Sequence, residues 1–131
     1  MKRFYLSAII ILFLLPITLF ADPIDNVADL IRQGNIRELA NLFAQSVSVT
    51  ILDDENTYTK PQAEGVLERF FNQNKPKGVK ILHKITSNPS YKFGVAIVTS
   101  DKGTFRIAYT LKETNGSFLL IEMRVETEKV K

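Results

Sequence analysis

The sequence predicts an α+β fold in which an N-terminal helix pair, a hairpin and one main helix precede a four-stranded antiparallel meander. Two observations carry this prediction. Apolar residues between positions 59 and 74 recur at helical spacing, which is typical of a helix with one buried side. After position 75, four runs alternate apolar and polar residues, which is typical of strands with one buried face. We therefore expect one curled sheet packed on the helices.

The main helix is expected from Thr59 to Asn74. Thr59 and Gln62 stand three residues apart, so the hydroxyl can cap a backbone N–H while the amide reaches back to the start of the helix. Pro61 falls in the first turn, where a missing N–H leaves no hydrogen bond unmade. The expected buried stripe consists of Ala63, Val66, Leu67, Phe70 and Phe71.

Residues 1–21 have the features of a secretory signal peptide. Lys2 and Arg3 form a basic start, residues 4–20 are almost entirely apolar, and Ala21 offers a small residue at the cleavage point. An uncleaved membrane anchor is the alternative, because about 20 apolar residues can span a bilayer. Pro16 within the apolar run favours cleavage, and so does the Asp-Pro pair that follows Ala21.

Residues 22–131 are then one domain, exported to the periplasm or the extracellular space. The chain has no cysteine, which excludes both disulfide bonds and a lipid-anchored lipoprotein. Loss of Lys2 and Arg3 lowers the formal net charge from +3 to +1. This balance gives no reason to expect a nucleic-acid partner, and a membrane contact is expected only if the signal peptide is retained.

The mature domain is expected to open with two short helices. Asp22 suits the N-cap of the first helix, Pro23 its first turn, and Gly34 its left-handed end. Asn35 and Glu38 predict the start of the second helix. The expected inward residues are Ile24, Val27, Ala28 and Ile31, followed by Ile36, Leu39, Ala40 and Phe43.

From Ser46 the apolar period changes to two, which predicts a hairpin that returns at Thr57 and Tyr58. In the meander, each strand has bulky apolar residues at alternate positions, and we expect these residues of all four strands to share the inner face. Three-residue loops at 101–103 and 114–116 would produce this register. The expected inner rows are His83, Val95, Tyr109 and Ile121, beside Ile81, Ile97, Ile107 and Met123.

This order of elements resembles the nuclear transport factor 2-like cone fold, also called cystatin-like. Residues 32–52 are similar to a Leu-Ala-x-Leu-Phe-Ala pattern found in polyketide-cyclase-like members. The segment 63–71, His83 and the Glu-x-Arg of residues 122–124 look like a family of small secreted bacterial proteins of unknown function. The resemblance implies the fold but no single activity, because this fold carries isomerases, dehydratases and non-catalytic modules.

Enzymes of the resembled fold hold an ionisable pair inside the cone, and the inner rows offer His83 and Tyr109 without a carboxylate. Among the 14 acidic residues, only Glu64 borders the apolar stripe of the main helix. We therefore expect a non-catalytic domain that binds a protein partner or a small apolar ligand, without cofactor or metal. An isomerase or dehydratase that uses His83 and Tyr109 is the alternative. The expected pocket lining is His83, Tyr109, Tyr58, Tyr91, Phe70 and Glu64.

The outer face of the predicted sheet combines small apolar residues with a charged rim. Such a surface is typical of an interface, and relatives in the resembled fold often dimerise through this face. We therefore expect a homodimer through the outer sheet face. The expected interface residues are Ala96, Val98, Ala108, Arg106, Leu120 and Glu122.

Overall fold

The computed structural model describes residues 22–128, so the predicted signal peptide at residues 1–21 lies outside the described residues. Three helices and six strands follow one another in the predicted order. The helices are α1 (Pro23–Gln33), α2 (Ile36–Ala40) and α3 (Lys60–Gln73). The strands are β1 (Phe43–Ile51), β2 (Asp54–Thr59), β3 (Pro76–Ile85), β4 (Tyr91–Ser100), β5 (Thr104–Thr114) and β6 (Ser117–Thr127).

All six strands form one curled, unclosed sheet in the order β2-β1-β6-β5-β4-β3. The neighbouring strands are antiparallel except for β1 and β6, which are parallel. The helices pack on one face of the sheet, here called the inner face, and the opposite face is the outer face. The α+β fold predicted from the sequence is confirmed, and β2 and β3 are the two edge strands of the sheet.

The helix ends follow the predicted capping chemistry. The Asp22 carboxylate accepts from the Ile24 N–H at 2.8 Å, and Gly34 ends α1 in the left-handed conformation with φ of 68°. At α3, Gln62 N donates to the Thr59 hydroxyl at 3.4 Å while Thr59 N donates to the Gln62 amide oxygen at 3.0 Å. The predicted stripes are buried except Val66, which is only half-buried. Phe43 belongs to β1, so this strand begins three residues before the predicted Ser46.

The register of β4 differs from the prediction. Ser100 lies opposite Gly103, with its N–H donating to the Gly103 carbonyl at 2.8 Å, so Asp101 and Lys102 alone form the loop. Even positions of β4 therefore face odd positions of β5, as in the pair of Ala96 with Ile107. The prediction that the bulky residues of β4 lie on the inner face is wrong. The smaller residues of β4 lie there instead and pack against α1. That inner set is Gly94, Ala96 and Val98.

The β5–β6 hairpin also turns more tightly than predicted. Thr114 lies opposite Ser117, and Asn115 and Gly116 form a two-residue loop with φ of 53° and 84°. A bulge near Ile121 then restores odd-with-odd pairing, so that Tyr109 lies opposite Met123 rather than the predicted Ile121. The Asn-Gly turn chemistry determines the loop, and the bulge brings the apolar residues of β6 back to the inner face.

Candidate functional site

The residues predicted to line one pocket lie at separate places in the structure. Tyr109 is fully buried on the inner face, and its hydroxyl donates to the Ile24 carbonyl at 2.8 Å. Phe70 is buried beside Phe71 and Phe105, with ring centroids 5.2 and 5.0 Å away in edge-to-face geometry. Both residues therefore fill the core rather than line a cavity.

His83 is exposed on the outer face, so its predicted inner position is wrong. A bulge at Leu82 shifts the register of β3, which places Ile81 opposite Ala96 but His83 opposite Val95. Ala96 lies on the inner face opposite Ile107, whereas Val95 lies on the outer face opposite Ala108. His83 and Tyr109 consequently lie on opposite faces of the sheet and cannot act on one substrate as an acid–base pair.

The other three predicted lining residues are also dispersed. Tyr91 is 40% exposed on the outer face, with the Lys112 ammonium 5.9 Å from its ring centroid. Tyr58 is half-buried at the opposite edge of the sheet, and Glu64 is half-buried on α3. No arrangement of these side chains surrounds a common cavity.

The interior of the cone is filled by side chains from both layers. Within residues 22–128, the only buried polar or charged residues apart from Tyr109 are Thr50 and Ser100, so no carboxylate is buried there. The same part of the chain contains no cluster of His, Cys, Asp and Glu that could hold a metal ion. The largest fully buried residues include Tyr109, Phe43, Leu67, Ile107, Leu111, Leu120 and Met123.

The outer face carries a continuous apolar row along β4, here called the outer stripe and formed by Tyr91, Phe93, Val95 and Ile97. All four lie opposite outer-face residues of β5, and none belongs to the core cluster. The stripe is widened by Ala108 on β5 and Ile85 on β3, the latter 54% exposed. Tyr91 is exposed and Phe93 and Ile97 are half-buried, whereas Val95 is only 7% exposed. Three large side chains of the stripe therefore remain at least partly available on this surface.

Charged residues of both signs surround the outer stripe. Lys80 and Arg106 lie opposite Ile97 on its two sides, while Glu122 and Glu126 lie one strand further away on β6. Of the predicted interface residues, Ala108, Arg106 and Glu122 are on this face. The outer placement of the other three is wrong, because the register turns them into the core: Ala96, Val98 and Leu120.

An ion cluster joins the start of α1 to the end of β3. The Lys84 ammonium lies 2.7 Å from Asp25 and 3.3 Å from Asp22. Partial burial acts to raise the pKa of Asp22, but the Ile24 N–H and the Lys84 ammonium outweigh it and hold that pKa below its usual value. The hydrogen bond with Asp25 raises the pKa of Lys84.

Two grooves open away from the outer face. One of about 510 Å³ lies between the α1–α2 turn, the end of α3 and the start of β3, with Arg37, Glu68 and Lys75 in its walls. The other, of about 470 Å³, lies between β2 and the first three turns of α3. The sequence analysis predicted neither groove, although Gly65 inside the main helix was a signal for the open helix side at the second one.

Comparison with known proteins agrees with this architecture. Residues 24–126 match the family described as "Domain of unknown function (DUF4783)", and no curated protein matches the chain. Within residues 22–128, none of the helices combines the length and the apolar character needed to span a bilayer.

Three solved structures show how far the likeness extends. A DUF4783 family protein from Bacteroides uniformis is 19% identical, with a TM-score of 0.79 over 83% of this chain and 100% of its own. One from Bacteroides ovatus is 20% identical, with a TM-score of 0.76 over 79% and 94%. A domain of unknown function with a cystatin-like fold from Nostoc punctiforme is 6% identical, with a TM-score of 0.62 over 79% and 72%. The chain therefore belongs to the DUF4783 family and has a cystatin-like, nuclear transport factor 2-like fold.

Proposed function

We propose that the protein is an exported, non-catalytic interaction domain whose outer sheet face binds another protein surface. The observation that carries the proposal is the outer stripe, because three of its large apolar side chains, those of Tyr91, Phe93 and Ile97, remain wholly or partly exposed on a face ringed by charges. The filled cone interior supports a binding role over turnover of a small substrate. A general acid or base needs reach to a bound substrate, and the packed inner face leaves little room for one.

A second copy of the chain is the partner that we propose for the outer stripe. In a two-fold contact the same surface is used on both subunits, so one interface covers both apolar rows. Charges of both signs on this surface allow opposite charges to meet across such a contact. Lys80, Arg106 and Arg124 supply the positive charges, and Glu122 and Glu126, the latter 3.9 Å from Arg124, supply the negative ones.

Multi-angle light scattering at tens of micromolar tests the dimer. We expect the mass of two chains for the wild type and of one chain for Ile97→Lys, because a lysine at this end of the outer stripe, between Lys80 and Arg106, places two further ammonium groups in the contact. Leu52→Lys is the matched control, since Leu52 is 47% exposed but lies in the β1–β2 turn. This control should remain a dimer. A monomeric wild type would contradict the proposal.

Export is proposed from the basic start, apolar run and small residue of positions 1–21. We expect the full chain, expressed in a bacterial host, to be recovered outside the cytoplasm with Asp22 as its first residue, as N-terminal sequencing would show. A bulky residue at the cleavage point should prevent this, so Ala21→Trp is expected to remain at the membrane at full length. Recovery of the wild type at full length in the membrane would instead indicate an anchor.

A further inference from the structure

The free edge of β2 and one side of α3 together form the groove of about 470 Å³. β2 is the last strand at its end of the sheet, so one of its edges has no partner strand within residues 22–128. The helix begins directly after β2, which holds the strand edge and the helix side close together. The groove is lined by Asn56, Thr57 and Tyr58 from β2, and by Pro61, Gln62, Gly65, Val66 and Arg69 from α3.

We propose that this groove binds an extended acidic peptide segment, which adds to the edge of β2 and brings an aspartate or glutamate side chain to Arg69. Every second residue of an edge strand turns both its N–H and its C=O toward the open side. A peptide in extended conformation pairs with these groups, and the pockets beside the strand select its alternate side chains. The site is separate from the outer stripe and does not depend on the proposed dimer.

The side-chain pattern of β2 places the pockets on the helix side. Asn56 and Tyr58 lie opposite Val49 and Val47, which are buried on the inner face. Alternate residues of an added strand would therefore point toward α3 as well. There they meet Tyr58, Pro61 and Val66, which suit small or medium apolar side chains.

Arg69 determines the charge of the occupant. It is the only charged residue among those that line the groove, it is exposed, and it forms no salt bridge within residues 22–128. A guanidinium group matches a carboxylate in charge and in geometry. Asp54 and Glu55 at the start of β2 would repel a second carboxylate, so the acidic side chain is expected at the Arg69 position alone.

Gly65 is the second observation that points to a ligand. Glycine inside a helix is less favourable than alanine, so a reason for its presence is needed. The fold itself does not require glycine, because a Cβ at this position would contact only the Arg69 Nη1 atom, at an ordinary 3.7 Å. The absence of a side chain at Gly65 leaves open space at the base of the groove between β2 and α3.

The test is a titration of the exported, ¹⁵N-labelled protein followed by NMR. The probe is a capped hexapeptide with valine at two alternate positions, glutamate at the third position of the same face, and threonine between them. A second probe carries the glutamate at the opposite end, because the added strand can run in either direction. We expect shifts in the amides of β2 and of the first three turns of α3. The same peptides with glutamine should bind about tenfold more weakly.

Three variants separate a binding role from a structural one. Arg69→Gln should weaken the glutamate peptide about tenfold and remove its advantage over the glutamine peptide. Gly65→Ala should raise the melting temperature and yet weaken both peptides, which a merely structural glycine would not do. Arg37→Gln, an exposed arginine in the other groove, is the control and should leave binding unchanged.

Four outcomes would overturn the proposal. One is the absence of shifts at millimolar peptide, and another is equal binding of the glutamate and glutamine peptides. A third is restoration of binding by a free C-terminal carboxylate on the glutamine peptide, which would show that a chain terminus rather than an acidic side chain is the ligand. The last is a concentration-dependent shift of β2 without peptide, which would assign this edge to a second copy.

Discussion

Replacement of Gly94 by valine is expected to lower the free energy of unfolding by about 3 kcal/mol, the upper part of the range for overpacked cores. A Cβ at this position would lie 2.8 Å from Cγ2 of Ile24 and 3.0 Å from Cζ of Tyr109. Both neighbours are fully buried, and neither has space into which to move. The ring of Tyr109 and helix α1 therefore lie directly against the backbone of β4. Urea unfolding of the purified protein measures the effect.

Gly78→Val is the matched control, because Gly78 is also in a strand but a Cβ there meets nothing within 4 Å. We expect it to be neutral or slightly stabilising, since valine favours strands. In the Ile24→Ala background, Gly94→Ala should be less harmful than in the wild type, because the closest contact has been removed. Equal losses in both backgrounds would show that contact with Ile24 is not the cause.

The same close contact explains why the faces of β4 could not be predicted from its alternation. Both sets of residues in β4 are apolar, so hydrophobicity alone does not identify the buried set. The larger set was predicted inside, but α1 packs so closely that only glycine and small residues fit beneath it. Size complementarity between a helix and a strand depends on the position of the helix. The sequence of the strand alone holds no information about that position.

The helices were more predictable because their signals are local. Capping at Asp22 and Thr59 and the left-handed end at Gly34 depend on residues within one turn. The strand order, the parallel β1–β6 pair and the bulge at Leu82 depend on contacts between distant segments. The prediction of a shared pocket was wrong for this reason, since a single bulge was enough to move His83 to the outer face.

The outer face was predicted as an apolar surface with a charged rim, and that general description fits the structure. Its composition was only partly predicted. Ala108, Arg106 and Glu122 are on it, whereas the apolar residues of β4 on it are those expected in the core. Because both faces of β4 are apolar, an incorrect register exchanged its residues but still predicted an apolar outer face. The dimer itself stays a prediction.

Replacement of Tyr109 by phenylalanine is expected to lower the free energy of unfolding by about 1–2 kcal/mol at neutral pH. The ring is retained, so packing changes little, but the hydroxyl no longer donates to the Ile24 carbonyl, a bond of 2.8 Å in the core. That bond joins the middle of β5 to the first turn of α1, 85 residues apart in the chain. Tyr91→Phe is the control. Tyr91 is 40% exposed, and its hydroxyl has no hydrogen bond within residues 22–128, so no loss is expected there.

The effect should also depend on pH in a defined direction. Burial, together with the nearby carboxylates of α1, raises the pKa of Tyr109 above its usual 10.0, so the folded protein favours the neutral phenol. Stability from this group is fully present below pH 10 and is lost as the pH rises further, because only the unfolded chain then releases the proton freely. The phenylalanine variant has no such proton, so its deficit relative to the wild type should shrink between pH 9 and about pH 11. A deficit that stays constant across this range would mean that the phenol ionises equally in the folded and unfolded states. The hydroxyl would then not be buried against α1.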